Sequence, residues 1–342
     1  MIERIEVAAF QEKIRDFIIL DVRSPMEFTQ GNIPGAFNIP LFTDSERAIV
    51  GALYQQKGRE AAILKGLDIC LPKTTDYLKQ LSKITAKKNV FLYCWRGGMR
   101  SALLAEVISK AGYQVRVLSG GYKAYRNFIR SCFSKEAQIV VLGGFTGSGK
   151  TEILEYIAKQ GEQTIDLENL ARHKGSVFGA LGLGTQPTNE QFENNLFACW
   201  SEMDFSKPIW IEDESRMIGK ITIPDPVLKQ LHEGLMIFVE VPIENRIFRL
   251  IRDYSGFEKS QLENSILKLK ERLGGKNTRE ALMALESGRF EEVVKILLDH
   301  YDKAYLYSMN RKGSDKVNKI ILRSDNMKEN ARKAITFVKN IY

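Results

Sequence analysis

The sequence predicts an α/β protein of two domains, each built on a parallel sheet, with the second ending in a mainly helical region. Three observations carry that expectation. At 342 residues, the chain exceeds what one hydrophobic core usually supports. Short apolar runs alternate with helical patterns, the order that buries a parallel sheet between helices. Two glycine-rich turns, at Gly97-Gly98 and from Gly143 to Gly149, each follow such a run. That is where open parallel sheets place their chemistry. The polar stretch at 134–137 reads as a linker, giving domains at 1–133 and 138–342.

In chain order, "DFIILDVRSPMEF" reads as a strand over 17–21 and a turn at Ser24-Pro25. "GNIPGAFNIP" reads as a loop, and 44–67 as a helix with charged and apolar faces. A helix over 74–84, a strand over 90–93, a helix over 101–111 and a strand over 114–118 complete the first domain. The second domain opens with a strand over 138–142. Further strands are expected at 163–166, 209–212 and 236–241, then helices after about 275 interrupted by a strand at 319–322.

Composition narrows the class. Hydrophobic residues make up 44% and charged residues 27%, as in globular proteins with real cores. No run approaches the roughly 20 apolar residues of a membrane span. Acidic residues near the start argue against a secretory signal. Cys70, Cys94, Cys132 and Cys199 form neither a CxxC pair nor a metal spacing, and there are three histidines. Free thiols, a cytoplasmic location and no resident metal are expected. The net charge of +8 is compatible with a polyanionic partner without proving one.

"YCWRGGMRS" holds the first candidate site. Cys94 stands where a parallel strand ends, and a helix starts shortly after. Loop amides freed by Gly97 and Gly98, the helix dipole, Arg96 and Arg100 would all favour an anion there. Cys94 is therefore expected to be a nucleophilic thiolate with a depressed pKa.

The second site is "GFTGSGKT", which fits G-x-x-x-x-G-K-[ST] between a strand and a helix. Gly144, Gly147, Ser148 and Gly149 would cradle phosphate oxygens, Lys150 would add a charge, and Thr151 would hold Mg²⁺ if a metal accompanies the ligand. The motif predicts a diphosphate or triphosphate and leaves open whether that is ATP. Glu212 and Asp213, at the end of "PIWIEDES", are candidates for the acid of the second P-loop strand, with a solvated acidic turn about equally good for either. Arg246, Arg249 and Arg252 share one helical face, where a solvated basic surface fits somewhat better than a cationic lid. His173 reads as a hydrogen-bonded loop histidine or a contact to the diphosphate.

"DVRSPMEFTQGNIPGAFNIP", "YCWRGGMRS" and "GGYKAYR" resemble a rhodanese domain over about residues 5–130. The resemblance implies that Cys94 carries a chalcogen and that Asp21 and Arg23 are architectural. Many sulfurtransferases of that family space cysteine and arginine as C-x4-R, whereas here Cys94 and Arg100 make C-x5-R, as in the related rhodanese-fold phosphatases. The roomier loop suits a phosphate-like group. The signatures "LARHKGSVFG", "QPTNEQFENNL" and "WIEDESRMIG" are similar to those of the tRNA 2-selenouridine synthases, a rhodanese-like domain fused to a P-loop NTPase-like domain.

That likeness implies a transferase acting on the wobble 2-thiouridine of tRNA. The sulfur is first alkylated from geranyl diphosphate. Selenium from selenophosphate then replaces the S-geranyl group through a Cys94 S–Se species. No tightly bound cofactor is implied, and no membrane partner. Phe178, Leu181, Phe192 or Phe197 could line a prenyl slot, although core packing explains them equally well. Arg116, Lys123, Tyr125, Arg126 and the basic C-terminal region are candidate tRNA contacts. The alternative is a rhodanese-fold sulfurtransferase or phosphatase fused to a small-molecule kinase.

Overall fold

A computed structural model describes residues 2–14, 16–312, 317–322 and 326–341. The chain divides into two compact units, one of residues 1–132 with 193–198, the other of 133–192 with 199–342.

The first unit contains strands β1 (Ile2–Ile5), β2 (Ile18–Asp21), β3 (Phe37–Asn38), β4 (Asn89–Tyr93) and β5 (Gln114–Leu118). They form one parallel sheet in the order β1-β5-β4-β2-β3. Its helices are α1 (Phe10–Lys13), α2 (Pro25–Gln30), α3 (Asp44–Cys70), α4 (Thr74–Ile84), α5 (Met99–Lys110) and α6 (Gly121–Cys132). Central β4 reads "NVFLY", and Val90 to Tyr93 are fully buried, as a strand covered on both faces requires. Leu20, Leu92, Leu104 and Val115 anchor the core.

Four local expectations change. Ser24-Pro25 is the start of α2 and not a free turn: Pro25 occupies the first turn, and Glu27 completes a capping box on Ser24. The expected loop at 31–40 contributes β3 at the sheet edge. The helix from Asp44 is interrupted at Gly58, whose φ of 83° no helix accepts. The helix after the cysteine loop starts at Met99, two residues early. β1 escaped notice because four residues at an edge give almost no periodicity.

The second unit contains β6 (Ile139–Gly144), β7 (Gln163–Ile165), β8 (Ile209–Glu212), β9 (Met217–Ile218), β10 (Ile221–Thr222), β11 (Leu235–Glu240) and β12 (Val317–Ile321). β9 and β10 pair as a small antiparallel ribbon, and the others form a parallel sheet in the order β12-β11-β6-β8-β7. Helices α7 (Lys150–Lys159), α8 (Leu167–Ala171), α9 (Asn189–Trp200), α10 (Asp225–Glu233) and α11 (Ile243–Tyr254) come before the helical region of α12 (Lys259–Lys268), α13 (Lys270–Leu273), α14 (Gly275–Glu286) and α15 (Phe290–Lys312); α16 (Met327–Lys339) follows β12. α16 packs on the sheet core through Ala331, Ala334 and Val338. α12, α13, α14 and α15 bury a separate core of Ile266, Leu273, Ala281 and Leu297. Among the described residues, no helix is long and apolar enough to cross a membrane.

Candidate functional site

In the first unit, β4 delivers Cys94 to the carboxyl end of the sheet, where the thiol is 3% exposed. Its Sγ lies 3.3 Å from Ser101 Oγ, which also donates to the Gly98 carbonyl at 3.0 Å. The loop then doubles back onto α6. Tyr122 N–H donates to the Cys94 carbonyl at 2.8 Å, and Lys123 N–H to the Trp95 carbonyl at 2.9 Å. That approach requires glycine at two places. Gly97 and Gly121 have φ of 64° and 60°, and a Cβ on Gly97 would stand 2.6 Å from the Leu118 carbonyl. Among the described residues, the amides of Trp95 to Gly98 donate to no protein acceptor, so they are available to an anion.

Arg96 is solvent-exposed. Arg100 departs from expectation: its Nη1 sits 2.7 Å from Glu27 Oε2, so its charge is already engaged by α2. The reason is topological, because α2 and the start of α5 meet at the same sheet end. Arg23 is fully buried, and forks onto Asp21 with Nη2 2.6 Å from Oδ2 and 2.6 Å from the Gly31 carbonyl. Its guanidinium lies 3.8 Å from the Tyr122 ring centroid. Burial alone would pull the Arg23 pKa down, but the Asp21 hydrogen bond and charge raise it. This pair braces the loop from beneath.

Three candidate tRNA contacts change roles. Tyr125 and Arg126 are buried, and Arg116 is tied to Glu3 and the Lys13 carbonyl. Only Lys123 of that group is exposed. Parts of the basic C-terminal region, at 313–316 and 323–325, lie outside the described residues.

In the second unit, β6 ends at Gly144, and the loop to α7 turns on Gly147 and Gly149, whose φ values are 80° and 78°. Lys150 Nζ folds back to the Gly144 carbonyl at 2.8 Å. Thr151 Oγ1 donates to Glu168 Oε2 at 3.0 Å. Ser148 Oγ is buried with no partner among the described residues.

The arginine face of α11 is not a solvated surface. Arg246 and Arg249 are 3% and 4% exposed. Arg246 Nε donates to the Thr146 carbonyl at 2.9 Å and its fork grips Asp302, while Arg249 Nη1 donates to the Gly147 carbonyl at 2.6 Å. They clamp the phosphate loop from behind, and Gly149 leaves the space that the Arg249 guanidinium fills. Arg252 is the half-exposed member, paired with Glu152 and Asp253.

Of the acids after β8, Glu212 is fully buried and accepts from Leu167 N–H at 3.1 Å. Burial first, then the nearby Asp166 and Glu168, push its carboxyl well above the usual carboxylate range. Asp213 accepts from the Tyr305 hydroxyl at 2.6 Å, and that hydroxyl also receives the Gly144 N–H at 3.3 Å. Burial and the adjacent Glu168 likewise raise Glu214. Glu168, Asp302 and Tyr305 escaped sequence reasoning, although Glu168 stands just past a strand end, in "DLENLARH", where an acid can face the motif threonine. His173 is buried, and burial lowers its pKa.

Around these groups lies a cleft of about 590 Å³, lined among others by Gly147, Lys150, Thr151, Glu168 and Arg249. Thr146, Ser176, Leu250, Tyr254 and Tyr301 also border a second space of about 60 Å³ with almost purely apolar walls, completed by Phe178, Leu262 and Leu297. Of the residues named for a prenyl slot, Phe178 borders this space, Leu181 packs against the core of α12 to α15 without lining the space, and Phe192 and Phe197 are buried core residues. Among the described residues, no three His, Cys, Asp or Glu side chains are placed to hold a metal ion. Thr151 and Glu168 do offer hard oxygens that suit Mg²⁺ accompanying a diphosphate.

A cysteine-bearing anion loop on one parallel sheet and a phosphate cradle on another define a two-domain enzyme of group transfer. Comparison with known proteins agrees. A family model described as the tRNA 2-selenouridine synthase AAA domain matches residues 137–332, and a rhodanese-like domain model matches 6–128. The chain is 34% identical to a tRNA 2-selenouridine synthase of Shewanella frigidimarina, covering 86% of this chain and 89% of that one. It is 38% identical to one of Nitrosomonas europaea over 70% of this chain and 64% of that one, and 33% identical to one of Shewanella loihica over 86% and 87%. The chain belongs to the tRNA 2-selenouridine synthase family of enzymes.

Proposed function

We propose that this enzyme acts on the wobble 2-thiouridine of tRNA in two steps, S-geranylation from geranyl diphosphate followed by selenation from selenophosphate. The observation that carries the first step is the wall shared by the phosphate cleft and the apolar space. A prenyl diphosphate has that duality, an anionic head and an apolar tail, whereas a nucleotide does not. The head would lie on the amides of 147–151 with Lys150, and the tail would enter beside Leu250. A geranyl chain is bulkier than the apolar space, so α11, α12 and α15 must part to admit it.

The electron count of the first step closes without a redox partner. The thiocarbonyl sulfur attacks C1 of the geranyl group, the C1–O bond breaks, and diphosphate leaves with that electron pair. The base loses its N3 proton. C2 now bears a thiolate leaving group in place of a thiocarbonyl.

For the second step, Cys94 is the nucleophile toward selenophosphate. Two routes deserve comparison. A Cys94 S–Se species needs selenium to leave phosphorus as an oxidised atom, with phosphite departing. Attack on phosphorus is redox-neutral: the S–P bond forms, the P–Se bond breaks, and selenide departs to displace geranylthiolate at C2, after which water cleaves S–P. The C-x5-R spacing favours the second route, since it suits a tetrahedral phosphate, and the Ser101 hydroxyl beside Sγ can turn from the Gly98 carbonyl to donate to the thiolate when S–P breaks.

Nucleoside mass spectrometry of tRNA from cells carrying Lys150→Ala or Cys94→Ala tests the reading. Lys150→Ala should lack both S-geranyl and seleno nucleosides, and Cys94→Ala should accumulate the S-geranyl form. Full geranylation in Lys150→Ala, or none in Cys94→Ala, would mean the steps are assigned to the wrong units.

A further inference from the structure

Trp95 directly follows the candidate nucleophile and is 37% exposed, whereas Trp200 and Trp210 are each 1% exposed. Its position is fixed from behind. Its carbonyl accepts the Lys123 amide at 2.9 Å, its ring leans on Tyr122 with centroids 5.9 Å apart, and the Arg23 guanidinium lies 6.0 Å from its centroid. Arg23 is itself locked by Asp21 and Gly31, so the indole stands on a rigid base. Met99, 52% exposed, and the exposed cation Arg96 belong to the same loop and helix start, and the exposed cation Lys123 is tied to the Trp95 carbonyl through its amide. Neither cation has an ion-pair partner among the described residues.

We infer that Trp95 is the platform on which the nucleobase to be modified stacks, with Arg96 and Lys123 holding the flanking phosphates. A braced indole with unpaired cations at the neighbouring Arg96 and the backbone-linked Lys123 matches the way single-stranded RNA is held, by stacking on a flat π face and by backbone neutralisation. Because residue 95 directly follows the nucleophile in the same loop, a base stacked on it would be held at the loop where selenophosphate is cleaved. The inference rests on the proposal above that the substrate is a tRNA wobble base, and it adds the residue that orients that base for the second step.

The unaltered enzyme supplies the first test, because Trp95 is the exposed tryptophan. An anticodon stem–loop with 2-thiouridine at the wobble position should quench its fluorescence saturably, and the same stem–loop abasic there should not. Trp95→Ala should raise KM for S-geranylated stem–loop in selenation by about tenfold, and Trp95→Phe should restore most of it. Equal quenching by the abasic RNA, or an unchanged KM in Trp95→Ala, overturns the inference. Cys94→Ala, assayed alongside, separates the two claims. If it loses selenation while Trp95→Ala is normal, only the stacking role fails. If it selenates normally, or if neither RNA binds, the functional reading fails and the stacking role with it.

Discussion

Arg100 gives its guanidinium to Glu27, 73 residues earlier, with Nη1 2.7 Å from Oε2. Burial pulls the Glu27 carboxyl up, but the Arg100 hydrogen bond and charge, with the Ser24 amide and Arg47, outweigh it and hold the carboxyl below its usual value. A carboxylate at the rim of an anion loop competes with any incoming anion for the same arginine. Glu27→Gln keeps a capping partner for Ser24 and removes the competitor. Phosphate should then protect Cys94 from iodoacetamide at about fivefold lower concentration, the scale of about 1 kcal/mol for a partly exposed pair. An unchanged half-protection concentration would show that Glu27 does not tune the loop.

The cysteine loop should be intolerant of one glycine change and tolerant of another. Gly121→Ala forces a Cβ into the Cys94 carbonyl at a φ of 60°, while Gly98 has open space around it and no positive φ. Gly121→Ala should destabilise the protein by about 3 kcal/mol or more. Gly98→Ala should stay within about 1 kcal/mol. Urea-unfolding midpoints decide between them, and similar losses at both sites would contradict the packing described here.

Glu212 should give stability a pH slope of unusual sign for a carboxylate. Its folded pKa is raised above the ordinary 4.5, so the native state keeps a proton that the unfolded chain has released. Unfolding free energy therefore falls as pH rises from that value toward the folded pKa. Glu212→Gln keeps an acceptor for Leu167 N–H and abolishes the titration. Its stability relative to the parent should improve steadily between about pH 5 and pH 8, read by urea melts at each pH. A constant difference would mean that Glu212 is ionised in the native state.

Leu250 borders both the phosphate cleft and the apolar space. Leu250→Trp should obstruct passage between them. Kd for geranyl diphosphate should rise about tenfold, while inorganic diphosphate binds as before, as for the loss of one well-packed apolar contact. Calorimetry with the two ligands gives the comparison. Parallel losses for both would place the prenyl tail elsewhere.

Both phosphate-seeking loops were legible because each is a run of consecutive residues between a strand and a helix. "YCWRGGMRS" and "GFTGSGKT" carry their glycines, cations and nucleophile within nine residues, and Gln114–Leu118, Ile209–Glu212 and Thr74–Ile84 fell where the periodicity put them. Arg246 and Arg249 were misread for the opposite reason. Helical spacing of arginines looks the same whether the face meets water or the carbonyls of Thr146 and Gly147, about 100 residues earlier.

What the sequence determined by itself was local: two parallel-sheet domains, a thiol at one strand end and a phosphate cradle at another. These follow from glycine's access to positive φ, from hydrophobic periodicity and from the N–H groups that a helix start leaves unpaired. Tertiary structure alone decided which charges remain available. It paired Arg100 with Glu27, buried Arg246 and Arg249 behind the phosphate loop, set Thr151 against Glu168, and left Trp95 open above Arg23. The physical reason is that a charge's partner and its solvation depend on which elements meet in space, and no spacing along the chain encodes that meeting.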